Sequence, residues 1–132
     1  RGVMAQSQTR KVLVVEDNEL NMRLFCDLLD AYGFETFQCR DGAKAVEIAR
    51  REQPDLIIMD IQLPEVSGLD ITRWLKDDDK VAHIPVLAVT AFAMRADEKR
   101  VREAGCEGYL SKPIQIATFI KAVEALMPKE AA

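Results

Sequence analysis

The sequence predicts an α/β protein, a doubly wound sheet of five parallel strands with helices on both faces. Three observations carry that reading. Short, continuous, β-branched runs recur along the chain, as expected of strands buried on both sides. Between them lie stretches with apolar residues at helical spacing. The two kinds of segment alternate strictly, and strict alternation gives a parallel sheet covered by helices.

The first strand is KVLVV at 11–15. A helix follows, with Leu20, Leu24, Phe25, Leu28 and Leu29 as its apolar positions, Asn18 as cap and Gly33 as stop. FETFQ at 34–38 alternates apolar and polar residues, so it reads as a more exposed strand. Residues 43–52 read as the second helix, and PDLIIMD at 54–60 as a strongly apolar strand. Residues 67–76 form a short third helix, closed by the charge run KDDDK. That run has no glycine and no liganding spacing, so it reads as a solvated turn rather than a calcium loop. IPVLAVT at 84–90 is a third buried strand, followed by a polar helix over 93–104 that ends at Gly105. GYLS at 108–111 is the last strand. The final helix, 115–127, carries Ile116, Phe119, Ile120, Val123 and Leu126 on one face and stops before Pro128.

The 132 residues suit one domain over 11–127, between an N-terminal arm (1–10) and a short tail (128–132). RGV before Met4 resembles an expression-vector remnant, and RGVMAQSQTR shows no periodicity. A net charge of −4, with no basic stripe, argues against nucleic acid as a partner. No run approaches the roughly 20 apolar residues of a membrane span. The three cysteines, Cys26, Cys39 and Cys106, form no CxxC pair and read as reduced cytosolic thiols. One histidine, His83, excludes a His-rich metal site.

The ends of the strands are the informative feature. The first ends in Glu16-Asp17, the third in Asp60, the fourth in Thr90 and the fifth in Ser111-Lys112 before Pro113. The second strand has no close equivalent, because Asp41 lies farther along. A single acid after a strand is an ordinary turn former or helix cap. Several polar ends on one edge of a parallel sheet form a site, because ligands bind beyond the carboxyl ends of such strands. Three carboxylates together need a cation or raised pKa values. Few side-chain oxygens favour magnesium over a calcium cage. Magnesium, a lysine and a hydroxyl beside a carboxylate are parts of a phosphoryl-transfer site. With no GxxxxGK[ST] to hold ATP, the remaining option is that a carboxylate itself accepts phosphate.

VVEDN, LIIMDIQLPEVSG, VLAVTA and YLSKPI, in that order, resemble the receiver domain of two-component response regulators across residues 11–127. The resemblance implies the CheY-like, flavodoxin-like fold with strand order 2-1-3-4-5. It implies that Asp60 accepts phosphate from a histidine kinase or phosphotransferase. Asp17 and Asp60 would ligate Mg2+ with the Gln62 backbone carbonyl, and Glu16, often Asp in the family, would act partly through water. Thr90 would bond the phosphoryl group and Lys112 would pair with it, with a cis Lys112–Pro113 peptide. Tyr109 occupies the switch position, while Gln62 and Phe92 occupy positions that tune the lifetime of the adduct. Phosphate would draw Thr90 inward and let Tyr109 follow, altering the fourth helix, fifth strand and fifth helix. Phe92 and Met94 are read as part of a partner face.

The longer wording, VEDNELNMRLFCDLLDAYGFET and MDIQLPEVSGLDITRWLK, is close to a branch that controls cell division and polarity in alphaproteobacteria. The expected protein is a cytoplasmic, monomeric regulator, not an enzyme, open to recruitment to cell poles by its partners. With only PKEAA after the receiver, it would signal through protein contacts with histidine kinases, phosphatases and kinase-like regulators. An adaptor independent of phosphorylation is the alternative. A haloacid-dehalogenase-type phosphatase fits poorly, because Gln62 stands where that family needs a second acid.

Overall fold

The computed structural model describes residues 9–91 and 95–127. Five strands, β1 (Lys11–Val15), β2 (Glu35–Cys39), β3 (Leu56–Asp60), β4 (Val86–Thr90) and β5 (Gly108–Ser111), pair in parallel in the order β2-β1-β3-β4-β5. The helices are α1 (Glu19–Ala31), α2 (Ala45–Glu52), α3 (Gly68–Lys76), α4 (Arg95–Glu103) and α5 (Ile116–Leu126). A 3-10 turn, Gly42–Lys44, precedes α2 and is capped by the Asp41 side chain on the Ala43 N–H.

Strand alternation divides the core in two. Leu13, Val15, Ile57, Met59, Val86 and Ala88 face the side covered by α2, α3 and α4. Val12, Val14, Leu56, Ile58, Leu87 and Val89 face α1 and α5. The central strands β3 and β4 are buried along their whole length, whereas β2 and β5, at the edges, are partly exposed. β3 and β4 are each shorter than the apolar runs suggest. Pro54 and Pro85 lack an N–H for the ladder, and Pro85 contributes only its carbonyl, which accepts from Ile57 N–H at 3.0 Å.

One helix is rotated from the sequence expectation, and a second departs from it at a single position. In α1 the buried stripe is Met22, Phe25, Cys26 and Leu29, and Leu20 is 76% exposed with Leu24 also on the surface. Leu20 and Leu24 do form a helical stripe, but the neighbouring one. The stripe through Phe25 packs inward with Met22, Cys26 and Leu29, and its ring meets Phe119 in a tilted contact, with centroids 5.4 Å apart. In α5, Phe119 and Val123 are buried, while Ile116, in the first turn, is exposed. Asn18 caps α1 through its side chain on Asn21 N–H, and Gly33 follows the helix at φ +89°, where a side chain would be strained.

The three cysteines are free and buried. Among the described residues, no helix is long and apolar enough to cross a membrane.

Phe119 is fully buried and joins α5 to α1 across β1 and β4. Phe119→Ala removes that ring from a filled interior and should cost about 3–5 kcal/mol. Urea unfolding should show a lower midpoint at unchanged slope. A loss below about 1 kcal/mol would mean the two helices do not depend on this contact.

Candidate functional site

The parallel register brings the strand ends to one edge. Val15 lies opposite Met59, Asp60 opposite Val89, and Thr90 opposite Ser111. Glu16-Asp17, Asp60, Thr90 and Lys112 therefore emerge side by side, from four different strands, beyond the carboxyl ends of the sheet.

One carboxylate oxygen each from Glu16, Asp17 and Asp60 lie within 4.8 Å of one another. Asp17 is exposed, but Asp60 retains 3% of its surface and Glu16 none. The two buried acids are compensated in the same way. Asp60 Oδ1 accepts from Gln62 N–H at 2.9 Å, and Glu16 Oε2 accepts from Asn18 N–H at 3.1 Å. Their other oxygens face the Lys112 ammonium, at 3.5 Å from Asp60 Oδ2 and 3.3 Å from Glu16 Oε1. Each acid thus uses the amide two residues ahead and shares a single lysine. One ammonium against three carboxylates leaves the cluster with surplus negative charge. Burial, then the neighbouring Asp60, pushes the Glu16 carboxyl up to about 7, against the opposing pull of Asn18 N–H and Lys112. A small set of converging hard oxygens, short of positive charge, fits a divalent cation such as magnesium.

The loop after β3 is held tightly beneath Asp60. Gly68 N–H donates to the Ile61 carbonyl at 3.0 Å. A Cβ on Gly68 would stand 2.3 Å from the Asp60 carbonyl oxygen and 2.8 Å from Ile61 Cα, so only glycine allows the approach. The requirement here is space rather than backbone angle. Ser67 then caps α3 on Leu69 N–H.

β4 ends against this loop. The Thr90 side chain is buried, and its carbonyl accepts from Lys112 N–H at 2.7 Å. The next amide, Ala91 N–H, donates to the Gln62 side-chain oxygen at 2.9 Å. Tyr109 lies opposite Ala88 on β5 and packs partly buried against the α2–α4 side of the core. By alternation Thr90 faces that same side, diagonally across from Tyr109. The Lys112–Pro113 peptide is cis. Phe92 and Met94 lie outside the described residues.

Sequence reasoning missed two contacts. Asn18 was legible as a cap, but its backbone amide also holds Glu16. Gln62 was singled out for its backbone carbonyl, whereas the contact observed is from its side chain to β4. Backbone amides leave no mark in sequence. A glutamine two residues after the central acid is the one available signal for the second contact.

Residues 12–124 match the family described as the response regulator receiver domain. The polar-differentiation response regulator DivK of Brucella anthropi is 58% identical over 118 residues, 89% of this chain and 96% of that protein. DivK of Brucella ovis is likewise 58% identical, over 90% of this chain and 97% of its own length. Among solved structures, the receiver domain of a sensor histidine kinase from Pseudomonas aeruginosa, described with a magnesium ion coordinated in the active site cleft, superposes with a TM-score of 0.82 at 30% identity, covering 89% of this chain and 97% of that one. A chemotaxis protein of Vibrio cholerae, CheY4, shares the fold with a TM-score of 0.85 at 24% identity, over 90% of this chain and 99% of its own.

The Glu16 environment gives a signed pH dependence. Its folded pKa, about 7, lies above the unfolded value of 4.5, so the folded chain keeps a proton that the unfolded chain releases. Stability without divalent cations should therefore fall as pH rises from about 4.5 to about 7 and stay reduced above that. Denaturant midpoints measured in a chelator across this range should decline more steeply for the wild type than for Glu16→Gln. Parallel curves would mean that Glu16 does not carry the effect.

Proposed function

The chain belongs to the response regulator receiver domain family, and from that premise we propose that Asp60 is its phosphoacceptor, taking the phosphoryl group from a phosphohistidine of a histidine kinase or phosphotransferase. The observation that carries the assignment is a nearly buried carboxylate facing an ammonium 3.5 Å away, at an edge where two further acids converge. An Asp60 oxygen attacks phosphorus. The new O–P bond forms as the N–P bond breaks, and the imidazole nitrogen leaves with the electron pair. Lys112, already shared by Asp60 and Glu16, offsets the phosphoryl oxygens that arrive beside it. Asp17, Asp60 and the Gln62 carbonyl, with Glu16 through water, would hold a magnesium ion, which would supply the charge neutralisation such a transfer needs. The chain promotes its own phosphorylation and dephosphorylation and acts on no other substrate.

The signal then passes through Thr90 and Tyr109. Thr90 bonds the phosphoryl group, and Tyr109, diagonal to it on the same face of the sheet, moves into the space released. Two discrete arrangements of α4, β5 and α5 result, biased by one local charge. The readers are partner proteins: histidine kinases, their phosphatase activities and kinase-like regulators in the cytoplasm. Leu20 and Leu24 in α1, together with Ile116 at the start of α5, offer exposed apolar surface on helices that start at the edge carrying Asp60. A donor domain has to approach that edge. The Brucella relatives are named for polar differentiation, and a role in cell division and polarity is the corresponding reading for this chain.

Incubation with acetyl phosphate and magnesium should attach one phosphoryl group per chain, removable by base, and Asp60→Asn should abolish it. A folded wild type that stays unlabelled, or an Asp60→Asn variant that labels fully, would overturn the assignment. Phe92, two residues beyond Thr90, hinders the attacking water in this account. Phe92→Ala should shorten the adduct half-life, and an equal or longer half-life would remove that role.

A further inference from the structure

We infer that the Gln62 side chain is a latch that holds the end of β4 in its resting position, so that phosphorylation of Asp60 must break it before Thr90 can move. The inference rests on Asp60 being the phosphoacceptor.

The Thr90–Ala91 peptide unit is gripped from both sides. Its carbonyl accepts from Lys112 N–H at 2.7 Å, and its amide donates to Gln62 Oε1 at 2.9 Å. The first grip is backbone to backbone and continues the β4–β5 pairing, which ends at Thr90 and Ser111. Releasing it would unzip an edge of the sheet. The second is a single neutral hydrogen bond from a side chain, at an exposed position. It is the weaker grip and the only one of the two that opens by a rotamer change.

Gln62 also reads the state of Asp60. Its own backbone N–H donates to Asp60 Oδ1 at 2.9 Å. One residue thus touches the acceptor with its main chain and β4 with its side chain, linking the two strand ends outside the sheet ladder. A phosphoryl group on Asp60 adds charged oxygens at this edge, and charged acceptors bind N–H donors more strongly than the neutral Gln62 amide oxygen does. Movement of Thr90 towards them carries Ala91 N–H away from Gln62. A cavity of about 240 Å³ adjoins the latch, lined beside Gln62 by Ile61, Leu69, Thr90, Asp97, Arg100 and Val101. It gives the released side chain room to turn without displacing the core.

This role differs from tuning hydrolysis, which acts only once the phosphate is in place. The latch acts on the resting chain and sets how much differential affinity a phosphate analogue must supply. Gln62→Met keeps side-chain length and loses the strong acceptor, while Gln62→Glu keeps an acceptor in place.

The test is amide exchange and analogue titration on the intact chain. By NMR without any analogue, Ala91 N–H should exchange at least about threefold faster in Gln62→Met than in wild type and be protected again in Gln62→Glu. In magnesium, beryllofluoride should switch the Tyr109 ring resonances at about three- to tenfold lower concentration in Gln62→Met than in wild type, the factor one neutral hydrogen bond is worth. Unchanged Ala91 exchange in Gln62→Met, or an unchanged or higher beryllofluoride midpoint, would overturn the latch alone. A wild type that never responds to beryllofluoride would overturn the phosphoacceptor reading, and the latch with it.

Discussion

A carboxylate with 3% of its surface left to water has to be compensated where it stands. Asp60 is that carboxylate, and much of the molecule is arranged around it. The apolar residues of β3, buried on both faces, fix its backbone. The amide of Gln62 takes one oxygen and the ammonium of Lys112 faces the other. Gly68 lets the following loop close to within van der Waals distance of the Asp60 carbonyl. β3, Gln62 and Gly68 belong to one stretch of chain, but Lys112 follows β5, 52 residues from Asp60, so these supports come together only when the sheet is assembled. The compensation is also incomplete, because Lys112 is divided between two buried acids. That surplus charge makes the edge receptive to a cation.

The same arrangement offers the proposed signal a route to the surface. β4 is buried throughout, and its end is tied to β3 through Gln62 and to β5 through Lys112. Thr90 cannot shift without disturbing one tie or the other. Tyr109 lies on the neighbouring strand, on the same face, half exposed to solvent and half set in the core. In the proposed switch, a residue so placed would convert a displacement inside the sheet into a change of outline. Nothing long-range is required beyond two adjacent strands and a close-packed interior.

Much of this was legible in the sequence, for identifiable reasons. Buried parallel strands must be apolar, so KVLVV, LIIMD and VLAVT declared themselves, and the acids that follow stood out against them. Glu16, Asp17, Asp60, Thr90 and Lys112 could be gathered because a parallel sheet puts all its carboxyl ends on one edge. What stayed hidden was orientation. Leu20 and Phe25 both fit helical periodicity, and tertiary packing, including the contact of Phe25 with Phe119, decides which stripe turns inward. The glycine at 68 is required for clearance, which only the position of the Asp60 carbonyl reveals. The Gln62–Ala91 bond joins residues 29 apart through a side chain and a main-chain amide, and no spacing rule marks it.

Three carboxylates at this edge share too little positive charge. A calorimetric titration with magnesium at neutral pH tests that directly, on the wild type and on Asp17→Asn, which alters only the exposed member of the cluster. The account predicts one ion bound per chain in the wild type and a loss of that binding in the variant. Absence of binding in the folded wild type, or equal binding in Asp17→Asn, would contradict it.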